Sequence, residues 1–185
     1  MSEVDVIIEI SKGSHIKYEY DKERNMIICD RILHTPMKYP FNYGFVPNTL
    51  SEDGDPLDVV VLMEDELIPG CIIKCEILGY LDTKDDAGND PKVLVCPIDK
   101  IDPTWKHSKF CSIESLYLGS GKNNVHTLDK IQYFFQHYKD LENKKVEVGN
   151  FYGKEMAKQI YKDSRERFLN KSFQKNKITN YFQPL

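Results

Sequence analysis

The chain has 185 residues and 21.6 kDa, 41% hydrophobic and 29% charged, which is the size of one domain with a full core that needs no disulfide or metal staple. Twenty-five basic against 29 acidic residues leave a net charge of −4 and a pI near 5.8, a poor match to a dedicated nucleic-acid binder, since phosphate backbones reward a basic surface. Collagen-like, coiled-coil and disordered classes are excluded, and no run approaches the roughly 18 apolar residues of a membrane span.

The amino terminus, Met1-Ser2-Glu3-Val4-Asp5, carries acids where a signal peptide carries positive charge, so a cytoplasmic protein is expected. Val6–Ile10 is a short apolar run containing Glu9. Ile16-Lys17-Tyr18-Glu19-Tyr20 alternates, with Lys17 and Glu19 on one face. Met26–Cys29 follows a Lys-Glu-Arg-Asn turn, and together they predict a hairpin. Val59–Met63, Cys71–Leu78 and Val93–Cys96 are further strand candidates, punctuated by Pro69-Gly70 and Gly88. Short strands at this spacing predict a small barrel or sandwich.

The period then changes. Leu128, Ile131, Phe135 and Tyr138 recur every three or four residues and predict a helix ending near Lys144-Lys145. Met156, Ile160, Ser164 and Phe168 mark a second helix. Residues 171–185 are polar and basic and are expected to form a poorly ordered tail. Strands first and helices later give a single α+β domain over 1–185. The five cysteines (Cys29, Cys71, Cys75, Cys96, Cys111) form no CxxC pair and read as reduced, largely buried thiols.

Asp53-Gly54-Asp55-Pro56-Leu57-Asp58 sets three carboxylates within six residues, just before Val59–Leu62. Carboxylates this close repel and need a counter-charge. Hard divalent cations such as magnesium accept oxygen donors of this kind, and Gly54 and Pro56 favour a turn that can aim them inward. A calcium loop fits poorly, because with Asp53 first the fifth position is Leu57 and the sixth is Asp58 instead of glycine. A solvated acidic turn is the bland alternative. Asp85-Asp86-Ala87-Gly88-Asn89-Asp90-Pro91-Lys92 repeats the form, acids on a turn and then Val93–Cys96. Tyr39-Pro40-Phe41-Asn42-Tyr43-Gly44 reads as a constrained aromatic loop, with core packing as its alternative, and Phe135 and Tyr138 belong by default to the helix stripe. Gly119-Ser120-Gly121-Lys122 lacks the first glycine and the Ser or Thr of a phosphate loop, and His107 and Cys111 lack partner ligands.

These motifs, with Ile16–Glu19, Asp30-Arg31 and Phe134–Glu142, stand in an order that resembles the family I soluble inorganic pyrophosphatases of the bacterial type, from about residue 4 to residue 168. The resemblance implies a small OB-like five-stranded β-barrel with two flanking C-terminal helices, and magnesium-dependent hydrolysis of diphosphate to two orthophosphates, with manganese or zinc as substitutes. It implies Asp53, Asp58, Asp85, Asp90 and Glu19 as metal residues and Asp55 as the base for the attacking water. Lys17, Arg31, Tyr43, Lys92, Tyr138 and Lys139 would contact substrate, with Glu9, Tyr39 and Asp86 in support. Asp86 departs from the Glu common in relatives. Residues 112–125 are longer and more polar than the family pattern. A homo-oligomer is implied, a homohexamer as in bacterial relatives; His137 on the first helix reads either as an interface residue or as an ordinary surface histidine, and no nucleic-acid or membrane partner is expected.

The implied site holds eight carboxylates (Glu9, Glu19, Asp53, Asp55, Asp58, Asp85, Asp86, Asp90) against four cations (Lys17, Arg31, Lys92, Lys139). Such a pocket repels diphosphate until divalent ions reverse its sign. An OB-type nucleic-acid binder has no use for so many acids; a catalytically dead metal-binding relative is the other alternative.

Overall fold

A computed structural model describes residues 3–86, 88–104, 113 and 126–181, with side chains as far as residue 173. In chain order the elements are β1 (Glu3–Ile10), β2 (Ile16–Asp21), β3 (Met26–Ile32), β4 (Asn42–Val46), β5 (Leu57–Val61), β6 (Ile72–Asp85), β7 (Gly88–Asn89) and β8 (Lys92–Pro97). Helix α1 (Thr127–His137), a 3-10 turn (Asp140–Glu142), β9 (Glu147–Gly153) and helix α2 (Lys154–Tyr181) follow. His107, Cys111, Gly119–Lys122 and nearly all of 112–125 lie outside the described residues.

Five strands close on themselves in the order β1-β4-β5-β8-β6, and β6 pairs again with β1. The barrel is antiparallel except for β5 and β8, which run parallel with Val59 beside Val93 and Val61 beside Val95. Closure leaves the barrel strands no free edge and buries several on both faces, which is why Val59–Val61 and Val93–Val95 are unbroken apolar runs. Leu57, Val59 and Val61 pack with Val4, Val6, Ile8, Val93 and Val95; Val60 and Leu94 face the other way, onto α1. The expected α+β barrel with two flanking helices is thus the architecture found.

Helix α1 covers the barrel with Leu128, Ile131, Phe134 and Phe135, all buried. Its aromatics meet those of the 39–43 segment: Tyr39 to Phe134 at 4.6 Å between ring centroids, Phe41 stacked on Phe135 at 5.5 Å. Each such pair adds about 0.5–1.5 kcal/mol beyond area burial.

Several details differ from expectation. The aromatic segment read as a loop contains β4, whose Gly44 lies so close to β1 that a Cβ would sit 1.9 Å from the Ile7 carbonyl oxygen. Helix α1 ends at His137 rather than near Lys144; Lys139 leaves the helical region at φ −102°, ψ 3° and starts the 3-10 turn. Helix α2 continues past Asn170 to Tyr181, with no Gly or Pro inside it. Cys75 and Cys96 are buried as read, but Cys29 is exposed, because the β2–β3 hairpin forms its own two-stranded sheet.

Candidate active site

The parallel pairing of β5 and β8 has a direct consequence. Each strand begins just after an acid turn, so the two turns arrive side by side at one end of the barrel. Asp58 precedes Val59 and Lys92 precedes Val93, the residues in register. Lys92 is a buried residue, 4% exposed, and its ammonium reaches Asp58 Oδ2 at 2.5 Å and also Asp90 Oδ2. Tyr43, from β4, donates its hydroxyl to Asp58 Oδ2 at 2.5 Å.

The first acid turn is built by its own backbone. Gly54 has φ 95°, which a side chain resists. Ser51 N–H donates to the Asp55 carbonyl at 2.7 Å, and Asp55 N–H to Asp53 Oδ1 at 3.0 Å. From behind, α2 grips the segment: Leu50 N–H donates to the Ser164 carbonyl at 2.9 Å, and Arg167 Nε donates to the Leu50 carbonyl at 2.8 Å. The second turn is tied to the first by Asn89 Nδ2 donating to Glu52 Oε2 at 3.1 Å. Asp90 is held by its N–H on the Thr83 carbonyl at 2.9 Å.

A cavity of about 220 Å³ opens between these turns, the β2–β3 hairpin and the end of α1. Seven carboxylates line it (Glu9, Glu19, Asp53, Asp55, Asp58, Asp85, Asp90), with the four ammonium groups of Lys17, Lys22, Lys92 and Lys139. Tyr39, Tyr43 and Tyr138 form its aromatic wall. Two residues from the sequence reading do not line it. Asp86 is exposed on the β6–β7 turn, and Arg31 pairs with Asp30 and, at 2.8 Å, with Glu142. Lys22 was not anticipated; it sits 3.6 Å from Asp55, and only the hairpin's fold over the acid turn reveals it. Lys139 Nζ lies 3.5 Å from Asp85 and 5.4 Å from the Tyr138 ring centroid.

Crowding is visible in the titration of these groups. Burial, reinforced by the charge of Asp58, pushes the Glu9 carboxyl up to about 8, although the Tyr20 N–H bonded to it at 2.7 Å acts the other way. Burial also pushes Asp90 up to about 7; Lys92 opposes the shift while Asp58 and Asp53 add to it. Asp53 is raised for the same reasons, burial first and then Asp58 and Asp55. Burial alone would lower Lys92, but Asp58 and Asp90 outweigh it and hold the ammonium charged. Lys139 is lowered, chiefly by burial. Tyr39, Tyr43 and Tyr138 are all raised, by burial first.

Among the described residues no three His, Cys, Asp or Glu groups are already gathered tightly enough to enclose an ion. Lys92 stands between Asp58 and Asp90 instead. The donor set nevertheless suits a hard divalent cation: all oxygen, in excess over the local positive charge, with two members driven toward protonation by burial first and by the charge of Asp58 second.

A family model described as "Inorganic pyrophosphatase" matches residues 6–169. The chain is similar to a protein named inorganic pyrophosphatase from Helicobacter pylori strain J99, 50% identical over 153 residues, which are 82% of this chain and 83% of that one. A protein of the same name from Xylella fastidiosa strain 9a5c is 46% identical over 168 residues, 90% and 89% of the two chains. Among solved structures, the Helicobacter pylori inorganic pyrophosphatase superposes with a TM-score of 0.83 at 46% identity, covering 91% of this chain and 94% of that one. One from Coxiella burnetii gives 0.82 at 41% identity, covering 90% and 95%.

Proposed function

The chain belongs to the inorganic pyrophosphatase family, and from that premise we propose that it is a magnesium-dependent enzyme cleaving diphosphate into two orthophosphates. The observation that carries the reading is the meeting of two acid turns at one barrel end, with Asp58, Asp90 and Lys92 in contact.

In this proposal Asp53, Asp58, Asp85 and Asp90 would hold the divalent ions, with Glu19 beside them in support. Magnesium is the expected ion, with manganese or zinc able to replace it. Bound there, divalent ions would reverse the sign of the pocket and acidify a water. Asp55 takes the proton from the attacking water; its carboxylate lines the cavity and is 77% exposed, open to solvent at the mouth. The water oxygen forms a bond to one phosphorus as the bond from that phosphorus to the bridging oxygen breaks. Lys17, Arg31, Tyr138 and Lys139 bind the phosphate oxygens and stabilise the charge that leaves with the second phosphate. Lys92 and Tyr43 keep Asp58 oriented, while Tyr39 and Glu9 support the wall.

A homo-oligomer, hexameric as the resemblance implies, is part of the proposal. In support, His137 is half-exposed, bonded to Asp140 at 2.9 Å and packed on the exposed ring of Tyr133. No helix among the described residues is long and apolar enough to cross a membrane.

Orthophosphate release from diphosphate tests the reading. It should be fast with magnesium and abolished by chelator; no release with any divalent ion refutes it. Asp55→Asn should lower turnover by about a hundredfold or more with metal binding retained by calorimetry. Unchanged turnover removes Asp55 as the base.

A further inference from the structure

Glu142 lies on the 3-10 turn just beyond Tyr138 and Lys139, and its side chain is only 4% exposed. A carboxylate so covered needs partners. Its partner comes from the hairpin: Arg31 Nη2 donates to Glu142 Oε2 at 2.8 Å. Arg31 Nη1 donates instead to Asp30 Oδ2, which Lys17 also approaches at 3.4 Å.

Among the described residues, two side-chain polar atoms are buried without a hydrogen-bond partner, and they are Arg31 Nε and Glu142 Oε1. These are the second donor and the second acceptor of the same ion pair. A guanidinium presents Nε–H and Nη2–H along one edge at the spacing of the two carboxylate oxygens, so a small rotation would convert one bond into a side-on pair of two. Glu142 is thus a matched clamp for that edge of Arg31, and Nη1 is the corner left free to exchange partners.

The pair also spans two elements. Lys17 and Arg31 face each other across β2 and β3. Tyr138 and Lys139 follow directly on α1. Only an inter-element contact can fix the distance between these two sets of phosphate-binding groups, and Arg31–Glu142 is such a contact.

We propose that Glu142 is a positioning residue: it grips Arg31 by the Nε/Nη2 edge and lets Nη1 pass from Asp30 to a phosphate oxygen of bound diphosphate. The inference rests on the diphosphatase reading above. It assigns Asp30 the role of partner to Nη1 in the substrate-free protein, beside the cavity rather than in it.

A double-mutant cycle tests it. Arg31→Gln should lower kcat/KM for diphosphate by about a hundredfold and Glu142→Gln by about tenfold, and the double variant should match Arg31→Gln within about twofold, because Glu142 acts only through Arg31. A purely structural Glu142 would multiply its loss onto that of Arg31→Gln. If Glu142→Gln does not fold, the wild-type protein decides by NMR. The Arg31 Nε–H signal, identified by its loss in Arg31→Lys, should become protected from exchange when magnesium and methylenediphosphonate are added. Multiplying losses, a fully active Glu142→Gln, or an unprotected Nε–H overturns the inference while leaving diphosphate hydrolysis standing. A wild type that releases no orthophosphate overturns the functional reading and this inference with it.

Discussion

Glu9→Gln measures the cost of holding a carboxylate buried beside other acids. In the metal-free fold the Glu9 carboxyl is pushed by burial and by Asp58 from 4.5 to about 8. Between those values the native state holds a proton that the unfolded state has released, so the contribution of Glu9 to stability falls as pH rises. At 1.36 kcal/mol per pH unit, the ionised or strained carboxyl costs roughly 4 kcal/mol at pH 8 and about 1 kcal/mol at pH 5. Side-chain relaxation and water entry reduce the first figure to about 2–4 kcal/mol. The amide introduced at this position still offers an oxygen to the Tyr20 N–H, so the substitution removes the charge and keeps the bond. Urea unfolding in chelator, from pH 5 to pH 8, should show the variant more stable by that margin at pH 8 and by no more than about 1 kcal/mol at pH 5. Saturating magnesium should shrink the gap, because it supplies the missing counter-charge. A gap independent of pH, or a variant less stable at pH 8, would refute the account of Glu9 as a carboxyl strained by burial and by Asp58.

Gly44→Ala should destabilise the protein by about 3 kcal/mol or more, since the new Cβ would fall 1.9 Å from the Ile7 carbonyl oxygen and force β4 away from β1; a urea midpoint equal to wild type would contradict that packing. A polar thiol reagent should modify Cys29 rapidly and leave Cys75 and Cys96 unmodified in the native state, because burial, the largest cause, pushes the Cys75 thiol far above its ordinary value. Peptide mapping of labelled protein checks this, and early modification of Cys75 would mean that the barrel opens readily.

Local pattern carried much of the fold. Alternation over Ile16–Tyr20 announced a strand of the hairpin, the valine runs announced strands buried on both faces, and the three-and-four spacing from Leu128 announced α1. Long-range geometry was not legible. Nothing local in Val59–Leu62 or Val93–Cys96 says that they run parallel and adjacent, yet that pairing brings Asp58, Asp90 and Lys92 together. Pro40 and Gly44 look like loop punctuation, and the true reason for Gly44, close approach of β1, is visible only in three dimensions. The early end of α1 was hidden because no Gly or Pro marks it, although it is what turns Lys139 toward Asp85. The same holds at the site's edge. Arg31 stands in the motif but is drawn toward Glu142, Asp86 points away on an exposed turn, and Lys22 enters the wall only because the hairpin tip folds over Asp55.

Binding of methylenediphosphonate, a diphosphate analogue that resists hydrolysis, tests most directly the claim that this pocket becomes attractive to a polyanion only when divalent ions occupy it. Titration calorimetry with magnesium present should show tight, saturable binding, and the same titration in chelator should show affinity weaker by about a hundredfold or more. Equal affinity in chelator would mean that Lys17, Lys22, Lys92 and Lys139 hold the ligand unaided, and the seven carboxylates would have lost their explanation.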